Sequence, residues 1–495
     1  VTGGVVRGTT DAHGVKSFKG IPYAASTAGE NRWRPPQPVT PWRDVRDASG
    51  FGPIAVQNVA TGPFGPWTWE YLDTFMSLEN GLMSEDCLRV NVWTTARRGE
   101  RRPVVVYIHG GANTSGSGGN EVYTGESIAR QGVVHVTVNY RVGIFGYLAH
   151  RDSTGAEVTG NFATMDLIAA LRWVQENIAT FGGDPEQVTI AGQSAGSFNV
   201  QTLIASPAAE GLFQRAVAMS ATSIDRAVPT LEQAQGAAAE ALGDLALEQL
   251  RAMTAQEVQA LTARYNPSST VLDGEVVISS LTEAYAAGTA NPVDLMIGNV
   301  DGDAVLFDIL RLPDDNDDAF DLVRSVTPEA YTQAVAAQLG EGLLELYPVD
   351  PDAENVIGTA RELQADGLIA QALRQADVRA RHFADRSTLV YQFSRVVPDT
   401  PERMAAYGAF HTGEVGYWLD WFSDTWERPW TPVDRALGEE MSGALVEFAS
   451  SGTVTGWPVH DSGAAAPQYV RMTDAVEAAA LDPAKAAAWA AHWTP

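Results

Sequence analysis

The run Pro103-Val-Val-Val-Tyr-Ile108 is apolar without a break, as a strand is when both faces of a parallel sheet are covered. Val133-Val-His-Val-Thr-Val-Asn-Tyr140 reads as a second buried strand. Between Asn161 and Phe181 the rhythm changes: Met165, Ile168, Leu171, Val174 and Ile178 recur at spacings of three and four, and Gly182-Gly183 ends the pattern. That spacing predicts an amphipathic helix with a glycine stop. Val188-Thr-Ile-Ala then predicts a short strand, broken abruptly at Gly192-Gln-Ser194-Ala-Gly196, and the apolar run Phe198 to Ile204 continues as a helix. Strand, helix, strand, helix in this order implies a right-handed parallel α/β sheet.

Elsewhere the pattern is looser. From Gly4 to Trp42 short apolar pieces alternate with Gly and Pro, predicting antiparallel strands and turns, the first over Gly4–Gly8. Glu85 to Trp93 is strand-like, as are Leu295–Gly298 and Leu389–Phe393. After Pro207 the chain is rich in Ala, Leu, Glu and Gln over 229–265 and 327–385, which predicts helices. Residues 50–85 form a long connection dense in aromatics, among them Phe64, Trp67, Trp69, Tyr71 and Phe75. At least two of these rings are expected to line a pocket, with packing of the loop onto the core as the competing reading. No repeat or low-complexity linker divides the chain. The expectation is one α/β domain over 1–495, with helical cap insertions around 229–290 and 310–385.

Composition narrows the function. Hydrophobic residues make up 45% of the 495, ample for a large core, and no apolar run is long enough to span a membrane. Acidic residues outnumber basic ones 61 to 33, a formal charge of −28, which opposes nucleic acid and anionic lipid as partners. A single cysteine, Cys87, excludes an intrachain disulfide and a Cys-based zinc cluster. The charge run Asp314–Asp318 lacks the order of a calcium loop and reads as solvated. There is no His-Glu-x-x-His and no Gly-x-x-x-x-Gly-Lys, so metal hydrolysis and phosphate cradling are poor readings. The chain shows no signal peptide and does not begin with Met, which leaves cytoplasmic and secreted locations both open.

Gly-x-Ser-x-Gly between a strand and a helix raises Ser194 on a sharp corner, the geometry of a nucleophile elbow. A serine needs a base, and the base needs an orienting carboxylate. The histidines after it are His382, His411, His460 and His492. His382 sits in a charged helical run, and His460 and His492 lie in ordinary polar contexts. His411 occupies a glycine-flanked loop, Gly408 to Glu414, after a predicted strand, which suits a loop-borne base. Asp301 and Asp303 both follow the strand ending near Gly298, and composition does not separate them. Gly110-Gly111-Ala112 after a buried strand can offer free backbone N–H groups to an oxyanion, joined by the N–H of Ala195.

These blocks, with Phe18-Lys-Gly-Ile-Pro-Tyr-Ala24, Arg32-Trp-Arg-Pro-Pro36, Glu85-Asp-Cys-Leu88, Asn139-Tyr-Arg-Val-Gly143, Phe181-Gly-Gly-Asp-Pro185 and Trp457-Pro458, resemble the type-B carboxylesterase/cholinesterase family of α/β-hydrolases. Within it, the chain is similar to the bacterial para-nitrobenzyl-esterase-like members. The likeness runs over almost the whole length. It implies a large, mostly parallel sheet flanked by helices, no cofactor, and a small-molecule ester substrate; monomer and homodimer both stay open. It implies Ser194 as nucleophile, His411 as base, and Gly111, Ala112 and Ala195 as the oxyanion hole. It also implies Asp303 as the acid, standing where the family has Glu, with Asp301 as a possible substitute. Gln193 stands where the family commonly has Glu, which removes a charge that favours cationic substrates, so a choline ester is not expected and a neutral, bulky or aromatic ester is. The family's first disulfide would join Cys87 to a position near Ala55, so the aromatic loop between them is uncrosslinked and expected to move. The Gly-Gly-Ala form of the oxyanion loop is similar to that of esterases accepting bulky alcohol esters. Gln193, Trp67, Trp69, Phe75, Tyr417 and Trp418 are the expected substrate contacts, with core packing the competing reading for the rings. A carbamate or amide hydrolase using the same triad, and a catalytically silent binding protein, are the alternatives.

Overall fold

The computed structural model describes residues 1–58, 82–222, 224–243, 245–303, 326–354, 356–399, 408–422, 428–464 and 466–493. Its centre is an 11-stranded sheet. In chain order the strands are β1 (Thr9–Thr10), β2 (Lys16–Pro22), β3 (Arg89–Thr94), β4 (Arg102–Ile108), β5 (Val134–Val138) and β6 (Gly183–Gln193). They continue as β7 (Arg215–Met219), β8 (Asp294–Val300), β9 (Thr388–Phe393), β10 (Gln468–Met472) and β11 (Val476–Ala480). Across the sheet they lie in the order β1-β2-β3-β5-β4-β6-β7-β8-β9-β10-β11. From β5 to β10 every neighbour is parallel, and antiparallel pairs close both edges.

The unbroken apolar run of β4 follows from its place in the middle. Val104, Val106 and Ile108 point to one face, and Val105 and Tyr107 to the other, each at most 1% exposed. On the first face they meet α1 (Phe162–Asn177) and α2 (Ala195–Ala205) through Leu167, Leu171, Val200 and Leu203. A long helix, α3 (Ile357–Ala380), covers the same face further along, beside β8 and β9. On the second face α4 (Pro432–Ser451) brings Leu437, Met441, Leu445 and Phe448. Burying one such side chain contributes roughly 2 kcal/mol, so a polar residue in this run would lose that and an unmet hydrogen bond as well.

Helix α1 ends as its pattern implies, passing through a short turn, Ile178–Phe181, to Gly182 at φ 83°. Helices also form over Leu231–Leu242, Leu247–Ala252, Ala255–Ala260 and Pro328–Gln338, within the two Ala-rich stretches. Two expected strands are shorter than their patterns. Gly4–Gly8 reduces to Val6–Arg7, which pairs with Arg46–Asp47 outside the main sheet. Glu85–Trp93 begins only at Arg89, because Glu85 is held by Arg32 in a buried bidentate ion pair at 2.7 Å. The expected mobile loop, including Phe64, Trp67, Trp69, Tyr71 and Phe75, and the acidic run Asp314–Asp318 lie outside the described residues. Among the described residues no helix is long and apolar enough to cross a membrane. Parallel strands bring their carboxyl ends to one edge of the sheet, and there the loops after β4, β6, β8 and β9 gather.

Candidate active site

The corner at Ser194 is forced by its neighbours. Ser194 adopts φ 59° and ψ −124°, a conformation costing about 1–3 kcal/mol, and its N–H donates to the Met219 carbonyl at the end of β7. A Cβ on Gly196 would stand 2.1 Å from the Ile108 oxygen, and one on Gly192 would stand 2.6 Å from Gly196 backbone. Both glycines therefore exist to let strand, helix and the end of β4 approach. The side chain of Ser194 projects from the amino end of α2, where the helix dipole favours negative charge.

The loop after β4 is pressed onto this corner. A Cβ on Gly110 would lie 3.2 Å from Ser194 Cβ. Gly111, Ala112 and Asn113 follow at φ 106°, 53° and 60°, consecutive left-handed residues that turn backbone N–H groups into a concavity. Among the described residues no hydrogen bond takes up the N–H of Gly111, Ala112 or Ala195. His109 holds the loop's start: its Nδ1 lies 2.8 Å from the Gly110 carbonyl and its ring stacks on Tyr140 at 4.3 Å. Burial pushes this ring down to a pKa of about 4, so it is neutral and donates from Nδ1.

Asp303 and His411 meet through a long-range pairing. Gly302 donates its N–H to the Ala409 carbonyl at 2.8 Å and bridges to Phe410, stitching the loop after β8 to the loop carrying His411. Asp303 Oδ1 then lies 2.8 Å from His411 Nδ1. The carboxylate is buried, while the imidazole side chain is 21% exposed and so within reach of a ligand. Burial works against the charged ring, but the charge and hydrogen bond of Asp303 and the charge of Glu414 outweigh it, and the pKa of His411 lies above the ordinary histidine value. Asp301 faces elsewhere: its carboxylate lies 3.5 Å from Arg471, and burial raises its pKa.

The third link of the row is looser than the sequence implies. Among the described residues no hydrogen bond joins Ser194 Oγ to His411, and the elbow contacts the ring through Gln193. Gln193 Nε2 is 3.2 Å from His411 Nε2 and 3.5 Å from Nδ1. The amide thus sits on the Cε1 side of the ring, beside both nitrogens. Without substrate such contacts are commonly long and tighten in the Michaelis complex.

Beneath the histidine lies a group that reading the sequence did not assign a role. Glu414 is fully buried, and receives hydrogen bonds from Ser220 Oγ, from Tyr391 OH at 2.7 Å and from Trp418 Nε1 at 3.2 Å. Burial pushes its pKa up to about 7, the hydrogen bonds opposing and Asp303 adding to the rise. The only trace in the sequence was its place three residues after His411; nothing marked Ser220 or Tyr391.

The expected substrate contacts divide. Gln193 is at the site, buried between the oxyanion loop and the imidazole. Tyr417 and Trp418 are in the core instead, both 0% exposed, because their polar tips are claimed from below, Tyr417 OH by Asp434 at 2.8 Å and Trp418 by Glu414. Their rings pack on Phe393 and Tyr391, leaving no face to a ligand. Trp67, Trp69 and Phe75 lie outside the described residues. Of the other histidines, His460 pairs with Asp377 at 2.8 Å. Among the described residues no group of His, Cys, Asp and Glu is arranged to hold a metal.

Comparison with known proteins adds an independent line. Residues 1–489 match the model of the carboxylesterase family. Fumonisin B1 esterase of Sphingopyxis macrogoltabida is 30% identical over 472 residues, which cover 90% of this chain and 81% of that protein. Para-nitrobenzyl esterase of Bacillus subtilis is 37% identical over 320 residues, 61% of this chain and 62% of that one. Among solved structures, a PNB esterase superposes with a TM-score of 0.77 at 28% identity, covering 99% of this chain and 98% of its own. A carboxylesterase of Geobacillus stearothermophilus gives 0.77 at 28%, covering 98% of each chain.

Proposed function

The chain belongs to the carboxylesterase family and has the α/β-hydrolase fold, and from that premise we propose that Ser194, His411 and Asp303 are the nucleophile, base and orienting acid of its serine carboxylic-ester hydrolysis. The observation that carries this assignment is the 2.8 Å contact between Asp303 Oδ1 and His411 Nδ1 beside the elbow. Asp303 holds the proton on Nδ1, so Nε2 is the basic nitrogen. Nε2 takes the proton of Ser194 as Oγ bonds to the acyl carbon. The carbonyl oxygen becomes an oxyanion and is received by the N–H groups of Gly111, Ala112 and Ala195, each worth about 3 kcal/mol of barrier. His411 then protonates the leaving alcohol, and Asp303 stabilises the imidazolium meanwhile. Water, deprotonated by the same nitrogen, attacks the acyl-enzyme and frees the acid and Ser194.

Gln193 carries no charge beside the reacting serine, so a cationic alcohol gains nothing there. We assign the enzyme to esters that are uncharged at the reacting centre, with bulky or aromatic alcohols admitted by the Gly-Gly-Ala loop. Ser194→Ala should abolish para-nitrophenyl butyrate hydrolysis, and a fluorophosphonate should label the wild type at Ser194 alone. Turnover surviving in Ser194→Ala, or label found elsewhere, would remove the assignment.

A further inference from the structure

Beside the elbow is a small cavity of about 50 Å³ that the ester chemistry described above does not use. Asn113, which directly follows the oxyanion loop, lines it on one side, and Phe198, one turn along α2 from Ser194, on another. Thr202, Thr270 and Ser279 supply hydroxyls, and Arg226 supplies a cation.

Arg226 is exposed, and its guanidinium lies over the Phe198 ring, with Cζ 3.8 Å from the centroid. A guanidinium held over a ring keeps N–H donors for a carboxylate, which it can grip with two parallel bonds. Among the described residues no carboxylate pairs with Arg226; the adjacent Asp225 is taken by Arg374. This is not for want of acids, since they outnumber basic residues 61 to 33. A second group in the same wall is also unmet: Ser279 Oγ is buried, with no hydrogen-bond partner among the described residues. A fixed cation and an unsatisfied hydroxyl, in a cavity that touches the residue after the oxyanion loop, are the parts of an oxyanion receptor.

We propose that this cavity binds a carboxylate carried by the ester substrate, remote from the scissile bond, through Arg226 with help from Ser279. The proposal rests on Ser194 as the nucleophile, since it places the recognised group relative to that serine. It makes the enzyme selective for acidic esters, such as the monoester of a dicarboxylic acid, against the repulsion of its own net charge.

The test compares two matched pairs of esters in the wild type, Arg226→Gln and Arg226→Lys. The first pair is para-nitrophenyl hydrogen glutarate against para-nitrophenyl valerate, which puts the carboxylate on the acyl side. The second is para-acetoxybenzoate against its methyl ester, which puts it on the alcohol side. In the wild type, kcat/KM for the carboxylate member of one pair should exceed that of its neutral partner by about tenfold or more. Arg226→Gln should remove that ratio while valerate hydrolysis is unchanged, and Arg226→Lys should keep part of it. The pair that responds tells which side of the ester the cavity receives. A ratio that survives in Arg226→Gln, or a wild type preferring the neutral member of both pairs, overturns the proposal. If the wild type failed on valerate and on every other neutral ester, it is the Ser194 assignment that would fall.

Discussion

Changing Asp303 to Asn tests the geometry of the site at the point where two acids compete. The amide keeps the volume of the carboxylate but can turn its NH2 toward His411 Nδ1, across the 2.8 Å that Oδ1 now spans. The ring would then carry its proton on Nε2 and present no base to Ser194. In serine triads this reversal costs about 10⁴ in kcat, or roughly 5.5 kcal/mol of barrier. A second effect has its own sign. The charge of Asp303 is the leading influence that raises the pKa of His411 against burial, with Glu414 adding less. Removing it lowers that pKa, so the acid limb of kcat/KM moves to lower pH even as the plateau falls. The assay is para-nitrophenyl butyrate turnover between roughly pH 5 and 9, with fluorophosphonate labelling as a measure of nucleophile activation. The parallel variant is Asp301→Asn, whose parent carboxylate lies by Arg471 and should lose less than about tenfold. If Asp303→Asn kept activity within tenfold while Asp301→Asn lost thousands, the acid would be Asp301 and the reasoning from the loop pairing would be refuted.

Three further outcomes follow from other parts of the structure. Gln193→Glu puts a carboxylate where an amide now lies 3.2 Å from a ring nitrogen of His411, and should lift the acid limb of kcat/KM by about one pH unit; an unmoved limb would show that the side chain does not lie beside the imidazole. Glu414 holds its proton more tightly folded, at about 7, than at its ordinary 4.5. The folded state therefore binds more protons between these values and loses relative stability as pH rises through them. Glu414→Gln has no such proton to lose, and should gain on the wild type by up to about 3 kcal/mol between low and high pH in urea unfolding; identical pH dependence in the two proteins would contradict the buried, proton-retaining carboxyl. Asp166→Asn breaks a bidentate pair with the buried Arg141, both contacts at 2.7 Å. It strands a guanidinium in the core, so denaturant midpoints should report a loss of about 3–5 kcal/mol, and a loss near zero would mean that water reaches the charge.

What could be read in advance, and what could not, divides along the range of the interactions involved. The elbow is a local device: a strand, a helix and glycines two positions either side of Ser194 are all within one short segment, and the contacts that demand those glycines come from Gly196 itself and from the end of the adjoining strand at Ile108. The interior run of β4 is legible for the same reason, since its five buried residues need only covered faces, not particular partners. The choice between Asp301 and Asp303 has no local answer. The two leave the same strand end, and what selects between them is the hydrogen bond from Gly302 to Ala409, more than a hundred residues away, which carries one acid to the imidazole while Arg471 draws the other aside.

The rings of Tyr417 and Trp418 show the same limit from the other side. Aromatic residues just past a catalytic histidine suit a pocket or a core equally well by type. Their direction is decided by two buried acids, Asp434 at the start of α4 and Glu414 under the histidine, that claim the phenol and the indole N–H. An unpaired buried acid would cost more than a ring lost from a pocket wall contributes, so the acids win. The same logic explains why Arg226 stands out only in three dimensions. Its sequence neighbour Asp225 looks like a ready partner, yet that carboxylate is spent on Arg374, and the guanidinium is left over the Phe198 ring at the wall of a cavity. A charge is informative when the fold has had the means to neutralise it and has not.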